Sequence, residues 1–69
     1  RPPNAFILYR SDKAPLVKIE RPLLSNNEIS VLIGEMWRNE EDEMRRCYSY
    51  AANFIKTRFL HDNPGYRYQ

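Results

Sequence analysis

Nucleophilic catalysis needs a hydroxyl or thiol beside a base that a third group orients. Ser11, Ser25, Ser30 and Ser49 could supply the hydroxyl, but no spacing sets any of them beside the single histidine, His61, with an acid in reach. The run Glu40-Glu41-Asp42-Glu43 reads as a helix start, where carboxylates favour the positive end of the macrodipole, rather than as an acid/base pair. Cys47 is the only cysteine, so no internal disulfide forms. It falls on an apolar stripe, where a buried, inert thiol is expected. One histidine and one cysteine make no metal cluster, and two glycines thirty-one positions apart make no phosphate-cradling loop. We therefore expect no enzyme, no metal and no cofactor.

The segment Arg1-Pro2-Pro3-Asn4-Ala5-Phe6-Ile7-Leu8-Tyr9-Arg10 offers a different chemistry. On a helix, Phe6 and Ile7 point about 100° apart, so one narrow face does not hold every bulky side chain of this run. Two readings follow. All of them pack in a small core, or one stays exposed as a wedge that enters between DNA bases, with Asn4 and Arg10 beside it for bases and phosphates.

Three helices must position these residues. The first is expected from about Pro3 to Ile19, with Ala5, Leu8, Tyr9 and Leu16 near one face. Pro15 lacks a backbone donor and crowds the carbonyl four residues back, which predicts a kink or early end near Ala14. Residues 20–24 read as a linker. The second helix begins at Ser25-Asn26-Asn27-Glu28, which has capping-box spacing, although Asn26 or Asn27 could also cap. Ile29, Leu32, Ile33, Met36 and Trp37 follow with helical period, and Gly34 lies on another side. Asn39 is expected to cap the third helix, whose apolar stripe is Met44, Cys47, Tyr48, Ala51, Ile55 and Phe59. Asn63-Pro64-Gly65 ends it, and Tyr66-Arg67-Tyr68-Gln69 is read as an extended tail. No strand alternation or repeat competes, so the fold class is all-α with three helices.

Composition agrees with one small domain over residues 1–69, and the abrupt start at Arg1-Pro2 suggests a domain excised from a longer protein. The chain has 42% hydrophobic and 29% charged residues and a mean hydropathy of −0.74, which suits a soluble globular domain. No apolar run approaches membrane-spanning length. The net charge of +2 argues only weakly for a nucleic-acid partner, but its distribution says more. Residues 1–24 hold five basic and two acidic side chains, residues 25–44 one and six, and residues 45–69 five and one. Two basic ends flank an acidic middle, as suits a surface that meets phosphates at its ends.

Four strings in register also resemble one family along the whole chain. They are Arg1 to Arg10, Asn26-Asn27-Glu28-Ile29-Ser30, Gly34-Glu35-Met36-Trp37-Arg38 and Pro64-Gly65-Tyr66-Arg67-Tyr68-Gln69. Together they resemble the high-mobility-group (HMG) box in its sequence-specific branch. The pattern is most like the fungal mating-type regulators and less like Sox-type boxes. The resemblance implies an L of three helices whose concave face enters a widened minor groove of A·T-rich double-stranded DNA. It implies Ile7 as the wedge with Phe6 stacked beside it. Base contacts would fall to Asn4, Asn26, Asn27, Ser30 and Tyr68, and phosphate contacts to Arg1, Tyr9, Arg10, Lys13 and Arg38. Trp37 would anchor the joint of the L, with Ile29, Ile33, Tyr48 and Ala52 as its companions, and Tyr66 could hold the tail on the first helix.

The same resemblance implies a nuclear transcription regulator of mating or sexual development that acts as a monomer near a TTGT-like core. It implies no membrane and no small-molecule substrate. Asn4 and Asn26 weigh against the non-sequence-specific architectural branch. Val31 and Leu32 stand where Sox-type boxes place basic residues, and Ala14-Pro15 replaces a basic helical stretch. Fewer neutralised phosphates mean weaker, less salt-dependent binding, and this keeps a protein-interaction helical module as a third reading.

Overall fold

The computed structural model describes residues 3–66. It contains three helices and, among the described residues, no strand: α1 Ala5–Glu20, α2 Asn26–Arg38 and α3 Asp42–Asp62. The all-α expectation holds. α1 packs against both other helices, whereas α2 and α3 barely touch each other. The result is an open arrangement measuring 42 × 25 × 19 Å.

α1 starts at Asn4, whose side chain accepts the Ile7 backbone N–H at 2.9 Å. Of the kink or early end expected near Ala14, the early end does not occur: Pro15 lies inside the helix, which continues to Glu20. A proline inside a helix costs about 3 kcal/mol. Beyond it, Val17 is buried in the core, and burying a valine stabilises by roughly 1.5–3 kcal/mol, enough to offset most of that loss. The buried face is also rotated from the expected one: Leu16 is exposed and Val17 is inside.

α2 settles its start on Ser25. The Ser25 hydroxyl accepts the Glu28 N–H at 3.2 Å, and the Ser25 N–H donates to the Glu28 carboxylate at 2.9 Å, which completes a capping box. The Ser25 backbone N–H first, and the Ser25 side chain second, hold the Glu28 carboxyl below its ordinary range. Ser25→Ala should remove about 1 kcal/mol of stability. For a domain of this size that lowers the melting temperature by roughly 4–8 °C. Calorimetry at neutral pH checks it, and an unchanged melting temperature would assign the cap elsewhere.

Asn39 does not cap α3, as the sequence had suggested. Its backbone N–H and side-chain amide both donate to the Glu35 carbonyl, so it closes α2 instead. α3 begins after Glu41, which makes no side-chain cap bond, and Asp42 and Glu43 occupy its first turn. It ends where Asn63 donates to the Phe59 carbonyl at 2.9 Å.

The core is thin: Tyr9, Val17, Ile29 and Ile33 are buried, with Phe6, Ala14, Leu24, Leu32, Met36, Trp37 and Tyr48 packed around them. No described residue of α3 is fully buried. Its 21 residues outrun the 16 of α1, so the apolar stripe meets the core chiefly through Tyr48. Met44 and Ala51 are exposed, and so is Cys47, contrary to the expected buried thiol. Farther along, Ile55 and Phe59 are half-buried, and the Tyr66 ring meets Phe59 edge-on at 4.8 Å. Tyr66 thus packs on α3, where the sequence reading had offered α1.

Candidate nucleic-acid interface

An aromatic cluster fixes the joint where the helices meet. The Tyr9 ring lies 5.0 Å from Trp37 and 5.3 Å from Tyr48, and Trp37 also meets Phe6 at 6.2 Å. Such tilted and edge-on pairs stabilise by roughly 0.5–1.5 kcal/mol each beyond the area they bury. Two hydroxyls lock the cluster to neighbouring elements. Tyr9 donates to the Glu40 carboxylate at 2.8 Å, and Tyr48 donates to Asp12 at 2.6 Å. Burial first, then the Glu40 bond, pushes the Tyr9 phenol up to about 12. For Tyr48 the Asp12 bond leads, and its phenol also reaches about 12. Both stay protonated donors at any physiological pH.

Tyr9 therefore leaves the set of phosphate contacts that the sequence had placed it in. It has no accessible surface, and its only polar atom is engaged by Glu40. It is instead the centre of the core. The Lys13 ammonium, 5.5 Å from the centroid of the Tyr9 ring, covers one side of it.

Phe6 and Ile7 divide the two readings of the amino-terminal run between them. Phe6 is half-buried against Trp37, whereas Ile7 is 44% exposed. Packing behind one apolar side chain thus presents the next to solvent. Arg10, one turn beyond Ile7, donates from Nε to the Ser30 hydroxyl at 2.9 Å. This bond places the Ile7–Arg10 side of α1 next to the Ser30 side of α2. Asn26 precedes Ser30 by four residues, one turn, and is exposed with Asn27 in the first turn of α2. Arg10 and Ser30 thus join α1 to α2, with Ile7 one turn before Arg10 and Asn26 one turn before Ser30.

The remaining sequence-derived residues fall as follows. Asn4 is exposed, but its carbonyl oxygen is occupied by the helix cap, leaving its amide as the free donor. Arg38 is exposed at the end of α2, and its guanidinium passes 3.8 Å from where a Gly34 Cβ would stand. Ile29 and Ile33 are buried, while Trp37 and Tyr48 are half-buried in the aromatic cluster. Ala52 is half-buried on α3 and lies outside that cluster. Arg1 and Tyr68 lie outside the described residues. No group of histidine, cysteine and carboxylate among the described residues could hold a metal ion. No described helix is long and apolar enough to cross a membrane.

The sequence matches the family model of the HMG (high mobility group) box over residues 1–67. The chain belongs to the HMG-box family. An HMG box is a non-enzymatic DNA-binding domain, so the absence of a catalytic constellation in the sequence and the partner implied by its charge pattern agree with the family. The box is 53% identical to mating-type protein a-1 of Neurospora crassa over 68 residues, covering 99% of this chain and 18% of that protein. It is 46% identical to the mating-type M-specific polypeptide Mc of Schizosaccharomyces pombe over 69 residues, covering all of this chain and 38% of the other. The transcription factor ste11 of the same yeast is 35% identical over 68 residues, covering 99% of the box and 14% of that factor. The box thus spans well under half the length of these relatives.

Proposed function

We propose that this box binds A·T-rich duplex DNA sequence-specifically from the minor groove and bends it, as the reading head of a nuclear regulator of mating or sexual development. The single observation that carries the reading is the presentation of Ile7. A β-branched apolar side chain stands in solvent beside a polar junction of Arg10 and Ser30, backed by Phe6 on Trp37. An apolar wedge of this kind enters a base step from the minor groove, partly unstacks it and bends the duplex toward the major groove. The unstacking costs a few kcal/mol and is offset by the larger surface that bent DNA brings into contact.

Asn4, Asn26, Asn27 and Ser30 would read base edges, where the minor groove distinguishes A·T from G·C. Arg10, Lys13 and Arg38 would contact phosphates, with Arg1 adding to these, and Tyr68 would join the base contacts. The names of the relatives, two mating-type proteins and a transcription factor, support the regulatory role. Val31, 64% exposed on α2, offers no charge to a phosphate, so the box holds fewer of them than its size would allow.

Selection from random oligonucleotides should enrich one A·T-rich motif. Binding to it should weaken with salt at a log–log slope near −3 to −4, about −0.9 for each phosphate met by the four basic residues named. A pool with no enriched motif would reject sequence-specific reading.

A further inference from the structure

α2 and α3 share few contacts, chiefly the Trp37–Tyr48 ring pair, and one side chain spans the turn between them. Arg45, one turn into α3, reaches back across residues 39–41. Its Nη1 donates to the carbonyls of Glu40 at 2.6 Å, Trp37 at 3.2 Å and Arg38 at 3.3 Å. Its Nη2 pairs with Asp42. The last carbonyls of a helix have no partner within it, and a cation there satisfies them and complements the dipole. Here the cation belongs to the next helix, so satisfying α2 also fixes where α3 begins. Asp42 is 81% exposed, and an ion pair so open to water contributes little energy. The carbonyl contacts therefore carry the geometry. Glu40 is gripped from two sides, its carbonyl by Arg45 and its carboxylate by the Tyr9 hydroxyl. That ties the same turn to α1.

We infer that Arg45 is a positioning residue that sets the angle between α2 and α3, and through it the angle at which the box holds bent DNA. The second half of this inference rests on the proposed minor-groove bending; the first does not. α2 carries Asn26, Ser30 and Arg38, while α3 carries the other arm with Lys56 and Arg58 toward its far end. DNA that follows both arms inherits the angle between them. A planar guanidinium with several donors in a fixed fork can hold carbonyls on both sides of a turn at once. The lysine ammonium is a point charge on a flexible stem and fixes fewer directions.

Two measurements on Arg45→Met and Arg45→Lys decide it. In the free protein, nitroxides placed at exposed positions by Glu35→Cys and Asn53→Cys, in a Cys47→Ser background, report the distance between α2 and α3. The parent should give one narrow distribution, Arg45→Met a broad one and Arg45→Lys an intermediate one, with helix content by circular dichroism retained. An unchanged distribution in Arg45→Met would overturn the clamp. On DNA at saturating protein, energy transfer between duplex ends should show a smaller and more variable bend for Arg45→Met. A structural role alone would lower stability and leave the bend of the bound fraction as in the parent, and that outcome would overturn control of the bend. A parent that does not bend DNA would reject the proposed function and the control of the bend with it, while the nitroxide distances still decide the clamp.

Discussion

Ile7→Ala should abolish most of the DNA bend while the domain stays folded. Nearly half of the Ile7 surface is already in water, so truncation opens no internal cavity, and the Tyr9–Trp37–Tyr48 cluster behind it is untouched. On DNA the same truncation removes the group that would hold a base step open. Bending a site by 40–90° costs of order 1–6 kcal/mol, and without the wedge that cost is not offset by the contacts a bend permits. Affinity for the selected site should fall by about ten- to a hundredfold, or roughly 1.4–2.8 kcal/mol. Energy transfer between dyes on the duplex ends, read at saturating protein, should move most of the way back to the value of free DNA. Circular dichroism and the melting temperature should match the parent. A mutant that bends DNA as the parent does would show that the wedge is another residue. Phe6→Ala is no substitute for this test, because Phe6 packs on Trp37 and its loss disturbs the core.

The helices were legible in the sequence wherever a local signal decided them. Ser25 and Glu28 have the spacing at which each satisfies the other's backbone, so the start of α2 needs no tertiary information. Ile29 and Ile33 follow from the same periodicity. The expectations that failed were those where two local signals competed or where a distant element decided. Pro15 left a kink or an early end open, but burial of Val17 two residues later carries the helix past it, and only the packed structure shows Val17 rather than Leu16 inside. Asn39 suits the end of one helix as well as the start of the next, and the Glu35 carbonyl claims it. The periodicity puts Cys47 on the apolar stripe, but the half-buried side of α3 runs through Tyr48, Ala52, Ile55 and Phe59, and Cys47 lies one step off it.

At the site, the exposed Ile7 was one of two open readings of a crowded apolar run. The Phe6–Trp37 contact, between residues thirty-one positions apart, and the exposure of Ile7 set aside the reading in which every bulky side chain of that run packs in the core. Arg45 left no trace in the sequence reading, because an arginine after a run of acids looks like ordinary charge balance. Its role depends on carbonyls that belong to the preceding helix.

Tyr9→Ala should unfold the domain and lose DNA binding as a consequence. Tyr9 is fully buried, touches Trp37 and Tyr48, and binds Glu40 in the turn between α2 and α3. Truncating a buried aromatic to alanine costs about 3–5 kcal/mol. Small domains have total stabilities near the low end of about 5–15 kcal/mol, so most of the margin disappears. The urea midpoint should fall steeply, and binding at a given temperature should track the folded fraction.

Tyr9→Phe separates this role from a phosphate contact. It keeps the ring and loses only the hydroxyl, at a cost of about 1 kcal/mol, and it should leave the salt dependence of DNA binding unchanged. It should also alter the alkaline limb of stability. The phenol is raised from 10.0 to about 12 in the folded state, so the folded chain holds its proton more tightly than the unfolded one. That contribution is complete below pH 10 and is lost as pH rises through 12; without the hydroxyl, the parent's extra loss across this window should shrink. A Tyr9→Ala variant with the parental urea midpoint would refute Tyr9 as the centre of the core. A shallower salt slope in Tyr9→Phe would return it to the phosphate contacts.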